Sequence, residues 1–340
     1  MRMAFVYMKQ PFFSFIIPVY NRPEEIQELL DSFSKLDFNS SFEIVIVEDG
    51  SKLDSESIIE AFSKSLAISY YKKDNTGPGD SRNYGMRRAK GDYFIILDSD
   101  CLLPSHYLNE VTNELSQEFV HCFGGPDAAH SSFSDTQKAI DFVMTSFLTT
   151  GGIRGRKSSI DAFQPRSFNM GISKEAFLAT GGFGNIHPGE DPDLTFRIWN
   201  KGYSTRLFPK ASVFHKRRID WKKFYVQVKK FGMVRPILNK WHPSTVRLTY
   251  WFPTLFALGS MASLVLLVFG IRWPMLFLGI YLAMVFITAL FSNKNLKVAL
   301  FSIYALFIQF FGYGYGFLKS TILINFSKKA PEQVFPNLFF

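Results

Sequence analysis

Three long stretches without a charged side chain lie at the end of the 340-residue chain, and they constrain its fold more than any other feature. They are residues 248–270, 273–291 and 298–318. A helix needs about 20 mostly apolar residues to cross a bilayer, so each stretch is long enough. Buried helices of a soluble core are the alternative, but these stretches have almost no polar face. We therefore expect a membrane domain at 248–340 with about three hydrophobic helices.

Charge is distributed unevenly along the chain. Residues 1–215 carry 22 Lys and Arg against 27 Asp and Glu, a net charge of −5. Residues 216–247 have a net charge of +9 and residues 248–340 have +5. Basic residues concentrate on the cytoplasmic flank of spanning helices, where anionic lipids attract them. The pattern predicts a multi-pass protein of the cytoplasmic membrane with its globular domain in the cytoplasm, and it argues against a nucleic-acid partner.

Cysteine usage and the N-terminal sequence agree with this location. Cys101 and Cys122 are the only cysteines, and their spacing is not that of a metal site, which suits a reducing compartment. The segment MRMAFVYMKQPFF is too short and too interrupted for a signal peptide. The predicted membrane anchor is therefore at the other end of the chain.

Short apolar strands alternate with helical patterns in the first hundred residues. The strand segments are 14–21, 42–50, 67–71 and 92–100. Such alternation predicts a parallel sheet covered by helices on both faces. We expect Asn21 to cap the first helix, with Pro23 in its first turn. Ligands of such sheets bind at the carboxyl ends of the strands, where Asn21, Asp49 and Asp98 fall.

The following segments are less regular. Residues 120–127 and 166–174 predict two more strands, with a Gly-, Ser- and Arg-rich loop at 149–161 between them. Residues 190–203 predict a helix that ends at Gly202.

A basic amphipathic segment precedes the apolar stretches. Its helical pattern at 221–235 places aromatic and aliphatic side chains on one face and four lysines away from it. That is typical of a helix in a membrane interface, although a docking helix of the globular domain is the alternative. The predicted domains are therefore a globular unit at 1–215, an interfacial segment at 216–247 and a membrane domain at 248–340.

Asp98 and Asp100 follow the apolar run that predicts the fourth strand. Residues two apart on a strand point the same way, so both carboxylates can converge on one cation. Carboxylate oxygens suit Mg²⁺ and Mn²⁺, which also bind phosphate oxygens. A solvated turn, with Asp98 capping the next helix, is the alternative.

Five motifs occur in an order and spacing that resemble the family 2 glycosyltransferases. They are IIPVYNRPE, IVIVEDGS, NTGPGDSRNYG, ILDSD and GEDPDLTFRIWNKGY. The resemblance covers about residues 13–215 and is to inverting, membrane-anchored, bacterial members. It implies an α/β fold of the GT-A type, a Rossmann-like nucleotide-diphospho-sugar transferase domain, followed here by C-terminal transmembrane helices.

The resemblance also implies a nucleotide-sugar donor site and a divalent cation, Mn²⁺ or Mg²⁺. The donor-binding residues would be Pro18, Tyr20, Asn21, Asp49, Asn75, Gly77, Arg82 and Asp98. The metal ligands would be Asp100, Asp98 and His215. Glu48 stands where the family more often has Asp. Gly77 as a turn former, Arg82 as a surface helix residue and His215 as a structural residue are the alternatives.

The Glu-Asp pair in GEDPD is expected to contain the catalytic residues. Inverting transfer needs a carboxylate to take the proton of the acceptor hydroxyl. The resemblance assigns this role to Asp191, and Glu190 would orient the acceptor. Asp191 also precedes Pro192 in the pattern of a helix N-cap, and the two roles are compatible.

The expected function is transfer of a single sugar, from a UDP-sugar, to a lipid-linked saccharide in cell-envelope polysaccharide or glycolipid synthesis. QVKKF at 227–231 differs from the Gln-x-x-Arg-Trp signature of processive synthases, because Lys230 and Phe231 replace Arg and Trp. A polyprenyl-phosphate sugar synthase is the alternative within the family. A catalytically silent nucleotide-binding membrane scaffold is the alternative of another class.

Overall fold

The computed structural model describes residues 10–128, 133–150, 163–215 and 220–340. The predicted loop at 149–161 falls almost entirely outside these ranges. The strands are β1 (Phe13–Val19), β2 (Phe42–Asp49), β3 (Ile68–Lys73), β4 (Tyr93–Leu97), β5 (Cys101–Leu102), β6 (Cys122–Gly124), β7 (Asp127–Ala128), β8 (Asn169–Ser173), β9 (Thr205–Leu207) and β10 (Val213–His215).

Helices separate the strands and make up the C-terminal part of the chain. They are α1 (Pro23–Phe33), α2 (Glu56–Phe62), α3 (Pro78–Arg88), α4 (Tyr107–Gln117), α5 (Asp135–Thr145), α6 (Phe147–Thr150), α7 (Lys174–Thr180), α8 (Glu190–Asn200), α9 (Trp221–Trp241), α10 (Phe252–Val268), α11 (Trp273–Asn293), α12 (Leu296–Phe326) and α13 (Pro331–Val334).

The main sheet has seven strands in the order β3-β2-β1-β4-β8-β6-β9. The first four strands are parallel to one another, as predicted. Beyond them the sheet is mixed, because β8 pairs antiparallel with both β4 and β6. An apolar run predicts a buried strand but not the direction of its neighbour, so this part of the sheet could not be predicted from the sequence.

Apolar residues pack on both faces of the sheet. Successive strand residues point to opposite faces, and in β1 Phe15 and Ile17 join one core cluster while Ile16 joins another. The first cluster includes α1 and α4, and the second includes α3, α7 and α8. This three-layer arrangement is the one that the sequence predicts.

The carboxyl ends of β1, β2 and β4 meet at one edge, since β1 pairs with both β2 and β4 in parallel register. The predicted cap at Asn21 is wrong. Its side chain instead accepts hydrogen bonds from the backbone N–H groups of Lys52 and Leu53, at 2.7 and 3.1 Å. Arg22 occupies the cap position without a side-chain cap, so Asn21 joins the loop after β1 to the loop after β2.

Three helices are long and apolar enough to cross a membrane: Leu248–Val268, which includes α10, then α11 and α12. α12 continues for 31 residues without a break through its Gly-Tyr-Gly-Tyr-Gly segment. In the most apolar 18-residue segment of each helix, the buried share is 22 % for the first helix, 11 % for α11 and 39 % for α12. α12 is therefore the helix that packs most extensively against the protein.

Glycines allow α12 to pack closely on α9. A Cβ atom built on Gly316 would overlap the carbonyl oxygen of Lys229, and one on Gly232 would overlap that of Tyr313. Small residues at such positions let two helix backbones approach one another. The predicted interfacial segment therefore contains a helix that docks on α12 through one face, while Lys222 and Lys223 remain exposed.

We expect Gly316→Leu to lower the free energy of unfolding by about 1–3 kcal/mol, because the added side chain would meet the backbone of α9. Thermal unfolding in detergent measures the loss. Gly279→Leu in α11 is the matched control, since a Cβ atom there has no neighbour within 4 Å. Equal melting temperatures for the two variants would contradict the close packing of α9 on α12.

Candidate functional site

Asp49 holds the loop between β3 and α3. Its Oδ2 accepts a hydrogen bond from the N–H of Gly77, and its Oδ1 accepts one from the N–H of Thr76, each at 3.0 Å. Asn75 Nδ2 donates to the Asp49 carbonyl oxygen at 2.9 Å. Gly77 has a φ of 88°, which favours glycine. The structure therefore brings together Asp49, Asn75 and Gly77 of the predicted donor site.

The neighbouring Glu48 is part of the local scaffold. It is buried, and its Oε2 accepts hydrogen bonds from the Ser55 N–H and the Tyr70 hydroxyl, both at 3.0 Å. The extra methylene of Glu relative to Asp extends the carboxylate to these groups. Glu48, which stands where the family more often has Asp, therefore links β2 to β3 and to the start of α2.

The loop after β1 contributes the other predicted donor residues. Pro18 lies in β1 opposite Val47 of β2, and the Tyr20 side chain is 51 % exposed. The Asn21 N–H donates to Ser51 Oγ at 2.7 Å. Pro18 and Asn21 are thus held against the β2 side of the edge, while Tyr20 projects into solvent.

Arg82 connects the Asp-x-Asp segment to the Glu-Asp segment. Its Nη2 lies 2.9 Å from Asp98 Oδ1 and its Nη1 lies 3.2 Å from Glu190 Oε1. The guanidinium is buried and packs over the ring of Phe183. His187 Nδ1 lies 3.0 Å from the same Glu190 oxygen. A buried charge needs such partners, so Arg82 holds two carboxylates from distant parts of the sequence in one cluster.

Asp191 is the second residue of α8, and Gly189 occupies the cap position, so the N-cap interpretation of Asp191 is wrong. Asp191 Oδ1 is buried and has no hydrogen-bond partner among the residues that the structure describes. A side-chain hydrogen bond from Ser167 also acts on this carboxyl and favours its ionised form, so the unpaired atom is Oδ1 and not the whole group. The role of Asp191 as the catalytic base stays a prediction.

The two adjacent carboxyls have opposite pKa shifts. Burial raises the pKa of Asp191 to about 6, and the negative charge of Glu190 adds to this, while Arg82 and Arg166 oppose it. Burial also acts to raise the pKa of Glu190, but His187 and Arg82 outweigh it and lower this pKa to about 2. Paired carboxyls with divergent pKa values are typical of acid–base sites.

Asp98 and Asp100 lie between β4 and β5, and His215 lies in β10, which pairs with β5. Arg22 Nη1 is 3.4 Å from Asp100 Oδ2, and Arg82 holds Asp98. The backbone of His215 pairs with Cys101, directly after Asp100, but its side chain lies outside the described part of the structure. Within that part, no three carboxylate, imidazole or thiol groups converge. Mg²⁺ commonly binds one or two carboxylates plus substrate phosphates, so the oxygen donors at this edge fit such an ion.

A cavity of about 300 Å³ is lined by Asn21, Arg22, Glu24, Glu25 and Lys223. Arg22 bridges Asp100 to Glu25, with its Nη1 2.9 Å from Glu25 Oε2. Lys223 comes from α9, so the basic segment reaches this cavity next to Arg22.

Sequence reasoning missed three residues of this site. Arg22 follows Asn21 directly and His187 precedes Glu190 by three positions, so nearness to a motif could have indicated both. Lys223 had no such signal, because only the path of α9 brings it to the cavity.

Residues 14–178 match the family model described as glycosyl transferase family 2. The poly(ribitol-phosphate) beta-N-acetylglucosaminyltransferase TarS of Staphylococcus aureus is 34 % identical over 111 residues, which are 32 % of this chain and 18 % of that protein. The GalNAc(5)-diNAcBac-PP-undecaprenol beta-1,3-glucosyltransferase of Campylobacter jejuni is 29 % identical over 117 residues, 34 % of this chain and 38 % of that protein. The alignments therefore span less than half of either relative.

A solved structure shares the fold over nearly the whole chain. A mannosyltransferase from Pyrobaculum calidifontis, in complex with GDP-Man and Mn²⁺, superposes with a TM-score of 0.55 at 17 % identity. The match covers 95 % of this chain and 89 % of that protein. The mixed α/β sheet is thus of the GT-A type, as the resemblance implied.

Proposed function

We propose that this chain, which carries a glycosyltransferase family 2 domain in residues 14–178, transfers a single sugar from a nucleotide-diphospho-sugar to a lipid-linked saccharide. The observation that carries the proposal is the cluster in which Arg82 joins Asp98 and Glu190, next to the unsatisfied oxygen of Asp191. UDP-sugars are the proposed donors. The products would belong to cell-envelope polysaccharide or glycolipid synthesis.

Asp191 acts as the general base. Its ionised carboxylate takes the proton of an acceptor hydroxyl while that oxygen attacks the anomeric carbon and the nucleoside diphosphate leaves. Attack opposite the leaving group inverts the anomeric configuration. Because Glu190 stays ionised through its low pKa, it orients the acceptor rather than competing for the proton.

The donor binds at the carboxyl edge of the sheet. The loops that carry Pro18, Tyr20 and Asn21 hold the nucleotide from one side, and Asp49, Asn75 and Gly77 hold it from the other. Arg82 keeps Asp98 in place and supplies a positive charge near the departing diphosphate. Asp100, Asp98 and His215 would hold Mn²⁺ or Mg²⁺, which neutralises diphosphate charge when bound.

The relatives support the acceptor class. One relative is named for transfer to an undecaprenol-linked saccharide, and this chain has three helices apolar enough for a membrane. An enzyme tied to a membrane meets lipid-linked acceptors at high local concentration. Incubating the detergent-solubilised protein with UDP-sugars and an undecaprenyl-diphosphate-linked saccharide tests the proposal. Transfer supports it, and failure with every nucleotide sugar would contradict it.

The position of Lys223 favours a second candidate, a polyprenyl-phosphate sugar synthase. This lysine lines the same cavity as Arg22, whose guanidinium contacts Asp100, and would bind a lipid phosphate there. Such an enzyme would form a sugar phosphodiester from polyprenyl phosphate alone, without a saccharide hydroxyl. Mass spectrometry of the lipid product therefore separates the two candidates.

We expect Asp100→Ala to weaken Mn²⁺-dependent binding of UDP by about tenfold or more, because the substitution removes a carboxylate that is proposed to bind the metal ion. Calorimetric titration of UDP and GDP, with and without Mn²⁺, measures the effect. Asp31→Ala on the exposed face of α1 is the control for loss of one negative charge.

The same titration tests the donor base and the activity itself. A preference for GDP would redirect the donor assignment to GDP-sugars. Nucleotide binding without transfer of any sugar would favour the silent nucleotide-binding scaffold, and absence of nucleotide binding in the unaltered protein would contradict both assignments.

A further inference from the structure

The last residues of the chain contact the globular unit at residues 1–215, the proposed catalytic domain. The N–H of His187 donates to the Leu338 carbonyl oxygen at 2.8 Å, and the N–H of Phe340 donates to that of Asn185 at 3.1 Å. Ile186 and Phe339 form an antiparallel bridge between these two hydrogen bonds. Residues 338–340 therefore lie on the same side of any bilayer as the loop before Glu190.

α9 lies across the catalytic domain rather than pointing away from it. It begins five residues after β10 and, at the other end, His242 Nε2 lies 2.9 Å from Asp193 Oδ1 in α8. Lys223 near its start lines the cavity beside Arg22. Phe224 near its start shares a buried apolar cluster with Ile140 and Val143 of α5, so both ends of this 21-residue helix pack against the catalytic domain.

α12 runs along α9 for most of the length of α9. The rings of Trp221 and Tyr304 lie 4.9 Å apart near the start of α9, and Ile324 packs with Val234 and Leu338 near its end. Since both termini of α9 are held by the catalytic domain, the helix beside it is held there as well. A crossing of the bilayer by this part of α12 would carry the catalytic domain into the lipid.

α11 meets the catalytic domain along one stripe, where the Tyr281 hydroxyl donates to the Leu148 carbonyl oxygen at 2.9 Å, but its other faces and those of α10 carry a large exposed apolar surface. Most of their apolar side chains are exposed, for example Leu255, Leu264, Val268, Leu276, Phe277 and Phe291. α11 has 21 residues, which at about 1.5 Å each span about 30 Å, the thickness of the hydrocarbon core. A bilayer is the partner that would cover such a surface on all sides.

We propose that α10 and α11 form a hairpin that crosses the bilayer twice, while α12 lies with α9 along the membrane surface on the side of the catalytic domain. This arrangement does not depend on the proposed function. It places Lys319, Lys328 and Lys329 on the catalytic side and leaves Arg272, between the two crossing helices, on the far side. Three crossings would instead carry the three lysines away from the cytoplasm, against the usual distribution of positive charge.

Cysteine labelling of the full chain in sealed membrane vesicles tests the proposal. The positions are Lys35→Cys in the catalytic domain, Ile271→Cys between α10 and α11, Ser292→Cys near the end of α11, and Ser327→Cys after α12. A membrane-impermeant maleimide is applied to vesicles of each orientation. The unaltered chain is the control, because Cys101 and Cys122 are buried, and labelling in denaturing detergent shows that each new thiol can react.

We expect the variants at 35, 292 and 327 to be labelled in one vesicle orientation and the variant at 271 only in the other. Labelling at 327 together with 271 would mean three crossings and overturn the proposal. Labelling of all four positions in one orientation would overturn it as well. So would failure of position 271 to react in either orientation, since the hairpin would then not reach the far side.

Discussion

Replacing Asp191 with asparagine is expected to lower kcat by about 10²–10⁴-fold, the usual contribution of a general base. Asparagine has nearly the same shape but cannot take the acceptor proton. In the described structure Asp191 makes no hydrogen bond to Arg82 or to the loop that Asp49 holds. Binding of UDP should therefore change little. Initial rates with saturating donor, together with calorimetric titration of UDP, separate the two effects.

The pH dependence provides an independent test of the same residue. Burial and the charge of Glu190 raise the pKa of Asp191 to about 6, so the ionised base is lost as the pH falls through that value. The kcat of the unaltered enzyme should therefore be constant at higher pH and fall about tenfold per pH unit below about 6. The Asp191→Asn variant should lack this fall of kcat at low pH, the acidic limb of the pH profile.

Asp193→Asn is the matched control, because Asp193 lies in the same first turn of α8. Its carboxylate is bound to Arg197 and to His242 rather than facing the cluster. We expect this variant to melt at a lower temperature but to keep the acidic limb of kcat. If Asp191→Asn retained more than a tenth of the original kcat, Asp191 would not be the base.

The local features of this fold could be predicted from the sequence, because short-range patterns determine them. The apolar strands and the turn glycine at 77 follow from chemistry within a few residues. The carboxyl edge follows as well, since parallel strands connected by helices end on the same side. These features placed Asn21, Asp49 and Asp98 at one edge, whereas the Glu-Asp pair was assigned to the site through the family resemblance alone.

The features that could not be predicted depend on contacts between distant parts of the chain. Nothing local to Arg82 indicates that its guanidinium is buried between Asp98 and Glu190, which is 108 positions further along. The cap assignments of Asn21 and Asp191 were wrong because tertiary contacts and a glycine replaced the expected caps. The same applies to α12, whose apolar composition indicates a membrane helix, while nothing in its local sequence indicates its close packing on α9.

Replacing Arg82 with methionine should disrupt the cluster more than any other single change. The substitution removes the positive charge and leaves His187 as the remaining side-chain partner of the buried Glu190 carboxylate among the described residues, while Asp98 loses its hydrogen bond to Arg82. Removal of one member of a buried ion pair costs about 3–5 kcal/mol. Thermal unfolding of the variant at neutral pH should show a loss of this size.

The same substitution should alter the pH profile in a defined direction. Arg82 lowers the pKa of Asp191 through its charge, so removing it raises that pKa and moves the acidic limb of kcat to higher pH. Arg82→Lys keeps the charge but loses the two-pronged geometry, so it should lower the rate with little movement of the limb. If the fall of kcat at acidic pH stayed at the same pH in Arg82→Met, the guanidinium would stabilise the fold without affecting the pKa of the base. If that fall moved in Arg82→Met but not in Arg82→Lys, the charge of Arg82 would set the pH range of catalysis.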